Sequence, residues 1–380
     1  MIRRSIGCLL AIWIGLFSEG QQQIRITISS LPGNTPGASE LYVAGDFNGW
    51  NPGNQNFRFE KSGNRFVVEL SLNSGKYEYK ITRGSWDRVE CSPSGKAIMN
   101  RELLVNGDTS IDISVAGWSD LVKPEPRKST ANPRVQILDT AFLIPQLGRY
   151  RRVWIYLPVS YTRSGKRYPV LYMQDGQNVF DDATSFAGEW GVDEAIDTLG
   201  AQYGESIVVA IDHGASKRLN EYCPYDFSLP GYQEGKGEGK LYVDFIAHDL
   251  KTFIDRNYRT KPGRRHTFIA GSSMGGLISF YAVLQYPRVF GGAGVFSPAF
   301  QVSPPIFDDI RSKGKKIKAK IYFYAGDTEG ESMETLTRKA FEEVNEDSGA
   351  RTAIVIRKGG KHSETWWRRE FPQFYKWIRQ

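Results

Sequence analysis

Thr267-Phe268-Ile269-Ala270-Gly271-Ser272-Ser273-Met274-Gly275-Gly276-Leu277-Ile278-Ser279-Phe280-Tyr281-Ala282 is the stretch on which the reading of this chain turns. A short apolar strand, Thr267–Ala270, runs straight into Gly-x-Ser-x-Gly, and an apolar helical run follows from Leu277. Such a turn is so tight that the residues flanking the serine must lack bulk. The strained backbone lifts Ser273 Oγ above the end of a sheet. The helix behind it aims amides and a positive dipole end at the same spot. Ser272 lies one frame off and reads as a packing or capping residue.

Outward from this point, strands and helices alternate. Strands are expected at Arg152–Leu157, Val170–Met173, Ile207–Ile211, His266–Ala270, Gly292–Phe296, Lys320–Tyr324 and Thr352–Ile356. Helical runs lie at Trp190–Leu199, Val243–Asn257, Leu277–Tyr286, Ser332–Asn345 and Trp366–Ile378. Short apolar strands without alternation suit a parallel sheet covered on both faces, so residues 135–380 read as one α/β domain. Gly231–Lys240, rich in Gly, Glu and Lys, reads as an exposed mobile loop.

A serine hydroxyl needs a base. Of His213, His248, His266 and His362, only His362 follows the serine, in Gly359-Gly360-Lys361-His362 between the last strand and the last helix. Nucleophile, acid, histidine is the chain order for this topology, which makes His362 the base. The acid is expected after Lys320–Tyr324, where Asp327, Glu329 and Glu331 all qualify and position alone does not choose. An oxyanion hole takes the amide of Met274 and a second amide from the loop Gln174-Asp175-Gly176-Gln177-Asn178, with Gln177 the preferred donor.

The N-terminal part is of another kind. Ile24, Ile26 and Ile28 alternate with polar residues, and strands follow at Glu40–Gly45, Arg65–Leu72, Tyr77–Ile81 and Ser110–Val115. Turn signals such as Asn48-Gly49 and Asn106-Gly107-Asp108 separate them, so residues 21–118 read as a small immunoglobulin-like β-sandwich. Residues 119–134, with Pro124-Glu125-Pro126, read as a semi-stiff linker. Residues 1–20 have a basic start, an apolar stretch Ser5–Phe17 and a polar exit, the order of a secretory signal peptide. A secreted location, periplasmic or extracellular, is therefore expected, with no membrane span once the signal is cleaved.

The 380 residues carry 40% hydrophobic and 24% charged side chains, which excludes a mostly disordered chain and a polytopic membrane protein. A net charge of +7, scattered along the chain, does not call for nucleic acid. Cys8 falls in the signal segment; Cys91 and Cys223 have no metal-binding spacing, so zinc and iron–sulfur chemistry are not expected, and no cofactor is called for. Nothing in the sequence supports a disulfide between them.

These residues resemble a family: the esterases related to enterochelin esterases, feruloyl and acetyl-xylan esterases, and esterase D. The likeness spans roughly residues 135–380 and rests on Pro169–Asn178, Gly188–Asp193, Arg218–Tyr222, Ala270–Gly276 and Tyr324–Met333. It implies an α/β-hydrolase fold and a serine esterase, with Glu329 as the acid, three residues after Gly326, and Asp327 as runner-up. Trp190, Arg218 and Glu221 come from these segments as substrate-binding candidates. Gln174 departs from the pattern, since relatives often have histidine there, and this bears on the shape of the acyl pocket. Val43-Ala44-Gly45-Asp46-Phe47-Asn48-Gly49-Trp50-Asn51-Pro52 resembles glycogen- and starch-binding modules, which makes Trp50 and Trp86 candidates for stacking on sugar rings; sandwich core is their competing use. The substrate implied is an acyl-decorated carbohydrate. A siderophore-type trilactone is the alternative, and a glycan-binding protein with an idle hydrolase scaffold is the non-enzymatic one.

Overall fold

The computed structural model describes residues 21–122, 127–228 and 235–380. The expected signal segment lies outside the described residues, as do 123–126 and 229–234. The chain divides into two compact units. One runs to Glu90 and resumes over Asn100–Trp118; the other takes Cys91–Met99 and Ser119–Gln380.

The first unit is β-rich. Gln22–Ser30 pairs antiparallel with Arg65–Leu72 and parallel with Thr109–Ser114, and Glu60–Ser62 adds an edge. A second sheet joins Tyr42–Gly45, Gly75–Thr82 and Arg101–Val105, all antiparallel. Period-two alternation buries Ile24, Ile26 and Ile28 with Val68, Leu70 and Leu72. Trp118, fully buried, donates its indole N–H to Thr35 Oγ1 at 2.9 Å.

The second unit is built on eight strands: β1 (Val135–Ile144), β2 (Arg149–Tyr156), β3 (Val170–Gln174), β4 (Ile207–Ile211), β5 (Thr267–Ser272), β6 (Gly292–Phe296), β7 (Lys320–Gly326) and β8 (Arg351–Arg357). Their order across the sheet is β1-β2-β4-β3-β5-β6-β7-β8. The β1–β2 and β2–β4 pairs are antiparallel, and the rest are parallel. Strands β3, β4, β5 and β6 are buried along their whole length, because helices cover both faces. One core holds Val170, Tyr172, Val209, Ile269, Val295 and Phe323 with Leu277, Ile278 and Phe280 of the helix Met274–Gln285. The other holds Leu171, Met173, Val208, Phe268, Phe296 and Tyr324 with Phe371, Phe374 and Ile378 of the helix Glu364–Arg379. This is an α/β-hydrolase-like fold. β1 escapes the sequence reading because it is an edge strand with mostly exposed side chains and two register shifts against β2.

Two expectations change here. Residues 127–134 do not run free as a linker: Arg127 Nη1 donates to the carbonyls of Asp182 and Ser185 (both 2.9 Å), Ser129 Oγ to Asp181 Oδ2 (2.8 Å), and Asn132 N–H to Asp193 Oδ2 (2.8 Å). The described part of the Gly231–Lys240 stretch is likewise pinned. Gly235 bridges Phe227, Glu238 N–H donates to Asn220 O at 2.8 Å, and a helix begins at Gly239. Cys91 and Cys223 are both buried.

Candidate active site

The β5-to-helix turn places Ser273 at φ 58°, ψ −124°, a conformation an L-residue holds only when its surroundings dictate it. The turn closes around it: Ser273 N–H donates to Phe296 O at 2.9 Å, and Ser273 O accepts from Leu277 N–H (3.0 Å) and Ala299 N–H (3.1 Å). A Cβ on Gly271 would sit 2.7 Å from Gly275 O and 2.9 Å from Gln174 Cβ, which fixes glycine there. The amides of Met274, Gly275 and Gly276 open the helix with no carbonyl in the preceding turn to receive them.

On the other side of β6, the loops after β7 and β8 bring two side chains together. His362 Nδ1 lies 2.7 Å from Glu329 Oε2. The Glu329 side chain is fully buried, and its Oε1 also accepts from Gly326 N–H (2.7 Å) and Ser297 Oγ (2.8 Å). Ser297, at φ 42°, in turn accepts the indole N–H of Trp367 at 2.9 Å, and that indole meets the His362 ring edge-on at 5.0 Å. With Glu329 ionised, Nδ1 carries the imidazole proton and Nε2 is left with a lone pair. Asp327 is turned elsewhere, receiving Gly359 N–H at 2.6 Å. Ser297 and Trp367 were not found in the sequence; the one cue available was Ser297's place just past a central parallel strand, where sites of such sheets collect.

The loop after β3 supplies the third wall. Asp175 has φ 54°, and Gly176–Asn178 form a single 3₁₀ turn, whose first amides, Gln177 included, precede the reach of its internal bonds. Gly176 approaches the end of β4 so closely that a Cβ would lie 2.8 Å from Ile211 backbone atoms. Gln177 Oε1 accepts from His213 N–H at 3.3 Å and its carbonyl from Thr184 Oγ1 at 2.8 Å, holding the turn. Burial pushes the His213 imidazole below its ordinary value. Gln174, the residue that departs from the family pattern, accepts from the Tyr242 hydroxyl at 2.6 Å and is buried. Asn178 Nδ2 donates to Glu364 Oε1 at 3.2 Å, and burial raises the Glu364 carboxyl.

The remaining candidates separate. Arg218 stands beside this wall, paired through two nitrogens with Asp175 at 2.6 and 2.9 Å. Trp190 is not substrate-facing: only 4% exposed, it packs on Trp367, Phe296 and Phe371. Glu221 is not either. It is fully buried and held by Arg149 (2.8 Å) and Arg151 (2.6 Å), because a carboxylate there survives only as part of an ion cluster. In the first unit, Trp50 and Trp86 do not fill the core. Trp86 is 43% exposed, its ring 6.2 Å from that of half-buried Trp50, whose indole N–H donates to Asp46 Oδ1 at 3.0 Å.

A family model described as "Putative esterase" matches residues 144–378, more than half the chain. The chain belongs to this esterase family. A Bacillus subtilis protein, YbbA, is 24% identical over 239 residues, 60% of this esterase and 92% of its own length. An endo-1,4-beta-xylanase/feruloyl esterase of Xylanibacter ruminicola is 26% identical over 238 residues, 61% of this esterase but only 30% of that protein. Among solved structures, the enterochelin esterase of Shigella flexneri aligns with 90% of this esterase and 88% of its own chain, with TM-score 0.51 and 15% identity, a likeness of fold. No helix among the described residues is long and apolar enough to cross a membrane.

Proposed function

We propose that this carboxylic-ester hydrolase works as a serine esterase through an acyl-enzyme. The observation that carries the reading is the 2.7 Å contact between His362 Nδ1 and a buried Glu329, in a fold that holds Ser273 in a strained strand-to-helix turn. Ser273 Oγ attacks the ester carbonyl carbon and its proton passes to His362 Nε2. Glu329 fixes the tautomer and stabilises the imidazolium. The oxyanion takes the amides of Met274 and Gln177. Collapse expels the alcohol with the proton from Nε2, and water repeats the sequence on the acyl-enzyme to release the acid. Ser273→Ala should lose on the order of 10⁴ or more in turnover of p-nitrophenyl acetate. Wild-type turnover, or no fluorophosphonate adduct on Ser273 in the native enzyme, would leave the glycan-binding scaffold as the better account.

The substrate class proposed is acyl groups, feruloyl or acetyl, on carbohydrate. It is supported by the named activity of the Xylanibacter relative and by exposed Trp86 beside half-buried Trp50, the latter in a segment that resembles starch-binding modules. On this reading Trp86→Ala weakens retention on insoluble polysaccharide and leaves p-nitrophenyl acetate turnover unchanged. Residues 1–20 act as a cleaved signal, so the exported protein should begin near Gln21 by N-terminal sequencing. A siderophore trilactone is the second reading, favoured by the fold likeness to an enterochelin esterase along 90% of the chain. Parallel kinetics on methyl ferulate, acetylated xylan and a catecholate trilactone decide between them; a far higher kcat/KM on the trilactone reverses the preference.

A further inference from the structure

Away from the Ser273–His362 wall, the turn before the helix Val192–Tyr203 and the first turn of that helix bring three carboxylates together. One oxygen from each of Glu189, Asp193 and Glu194 lies within 4.8 Å of the others. Asp193 is 0% exposed and Glu189 4%, while Glu194 is half-buried. Among the described residues, none donates a hydrogen bond to one buried oxygen of each: Glu189 Oε2, Asp193 Oδ1 and Glu194 Oε2. The donors nearby serve the opposite oxygens. Arg368 Nη1 gives to Glu189 Oε1 at 3.0 Å, and Asn132 N–H gives to Asp193 Oδ2 at 2.8 Å. Thr130 adds a neutral hydroxyl beside Glu189.

Buried carboxylate oxygens without donors are costly to keep ionised unless something compensates them. With all three ionised, the carboxylates set against the one guanidinium that pairs with them among the described residues, Arg368, would leave two negative charges for a cation to offset. All the candidate ligand atoms are hard oxygens, with no histidine or cysteine among them, which disfavours zinc and copper. Calcium binds oxygens at about 2.3–2.6 Å, so oxygens on opposite sides of one ion stand about 5 Å apart, and it accepts water in the remaining positions. Magnesium needs a tighter octahedron.

We propose that Glu189, Asp193 and Glu194 form a calcium site. Its place in the fold gives it a structural use. Asp193 also anchors Asn132 of the 127–134 segment, and Trp190, next to Glu189, donates its backbone N–H to Asn178 O at 2.8 Å, in the loop that carries Gln177. The ion therefore ties that segment and that loop to one helix end.

The test uses the whole chain, stripped with EDTA and dialysed free of it. Thermal unfolding is followed with and without millimolar calcium, and terbium is titrated with excitation through tryptophan, Trp190 being adjacent to a ligand. Calcium is expected to raise the unfolding midpoint by several degrees and to displace terbium emission. Both responses should disappear in Glu194→Gln, whose half-buried position keeps the fold, and in Asp193→Asn. A wild-type midpoint indifferent to calcium, as a proton shared among the carboxylates would give, overturns the proposal. So does an equal calcium response in Glu194→Gln.

Discussion

Ser297→Ala is the sharpest probe of how the His362 environment is held. The Ser297 hydroxyl spans the 2.9 Å bond from Trp367 Nε1 and the 2.8 Å bond to Glu329 Oε1, and nothing of it reaches solvent. Its removal leaves a buried indole N–H without an acceptor, a cost of about 1–3 kcal/mol, and takes from Glu329 one hydrogen bond to a charged group, worth about 1.5–3 kcal/mol. Trp367→Phe removes the indole donor and trims the ring that meets His362 and Trp190, while Ser297 still donates to Glu329. The kcat difference between the two variants therefore reports on the Ser297–Glu329 bond, while the stability difference also carries the orphaned indole N–H. If about 1.4 kcal/mol of it is felt when His362 becomes cationic, kcat falls about tenfold in Ser297→Ala with KM little changed. The acid limb of the pH–rate profile should move as well, because a less firmly held carboxylate supports the imidazolium less. Trp367→Phe should stay within about twofold of wild type in kcat, since no charged partner is lost. Stopped-flow or steady-state hydrolysis of p-nitrophenyl acetate across pH, beside circular dichroism melts, measures all of this. An unchanged kcat and pH profile in Ser297→Ala would refute the positioning role.

Glu329→Gln should lose about 10³–10⁴ in kcat, because an amide no longer selects the Nδ1–H tautomer; Asp327→Asn should stay near wild type, as its amide oxygen can still receive Gly359 N–H. Glu364→Gln tests the raised carboxyl beside Asn178. A carboxyl whose pKa is higher folded than unfolded binds its proton more tightly when folded, so its contribution is full at low pH and is lost as pH rises through the folded value. Denaturant melts at several pH values should show the variant gaining on wild type from about pH 4 upward; a constant gap would deny the shift. Glu221→Gln should cost about 3–5 kcal/mol of stability by leaving Arg151 and Arg149 short of charge, with turnover per folded molecule intact. A large fall in kcat without loss of stability would return Glu221 to the substrate.

The sequence by itself determined the elements that depend on neighbours along the chain. Strand, tight turn and helix around Ser273 are legible because their constraint is local: glycine where the turn admits no Cβ, an apolar run before it and another after. The order Ser273, acidic loop, His362 is legible for the same reason, since each sits just past a strand with its own apolar signature. Which carboxylate meets the histidine was not legible from position. Asp327 and Glu329 are two residues apart on one loop, and only its path over β7 and β8 turns Glu329 inward and Asp327 toward Gly359. The resemblance favoured Glu329; the packing shows the contact. Trp190 and Glu221 lay in family-like segments, but whether a side chain faces substrate or core depends on what packs across from it. For Trp190 that is Trp367, far along the chain; for Glu221 it is two arginines of β2. The three carboxylates at Glu189, Asp193 and Glu194 were printed within six residues of one another, yet their want of donors belongs to tertiary structure alone. Asn132 and Arg368 satisfy one side of the cluster and, among the described residues, no side chain satisfies the other. Hydrogen-bond satisfaction is a sum over everything that closes around an atom, and a linear pattern does not carry that sum.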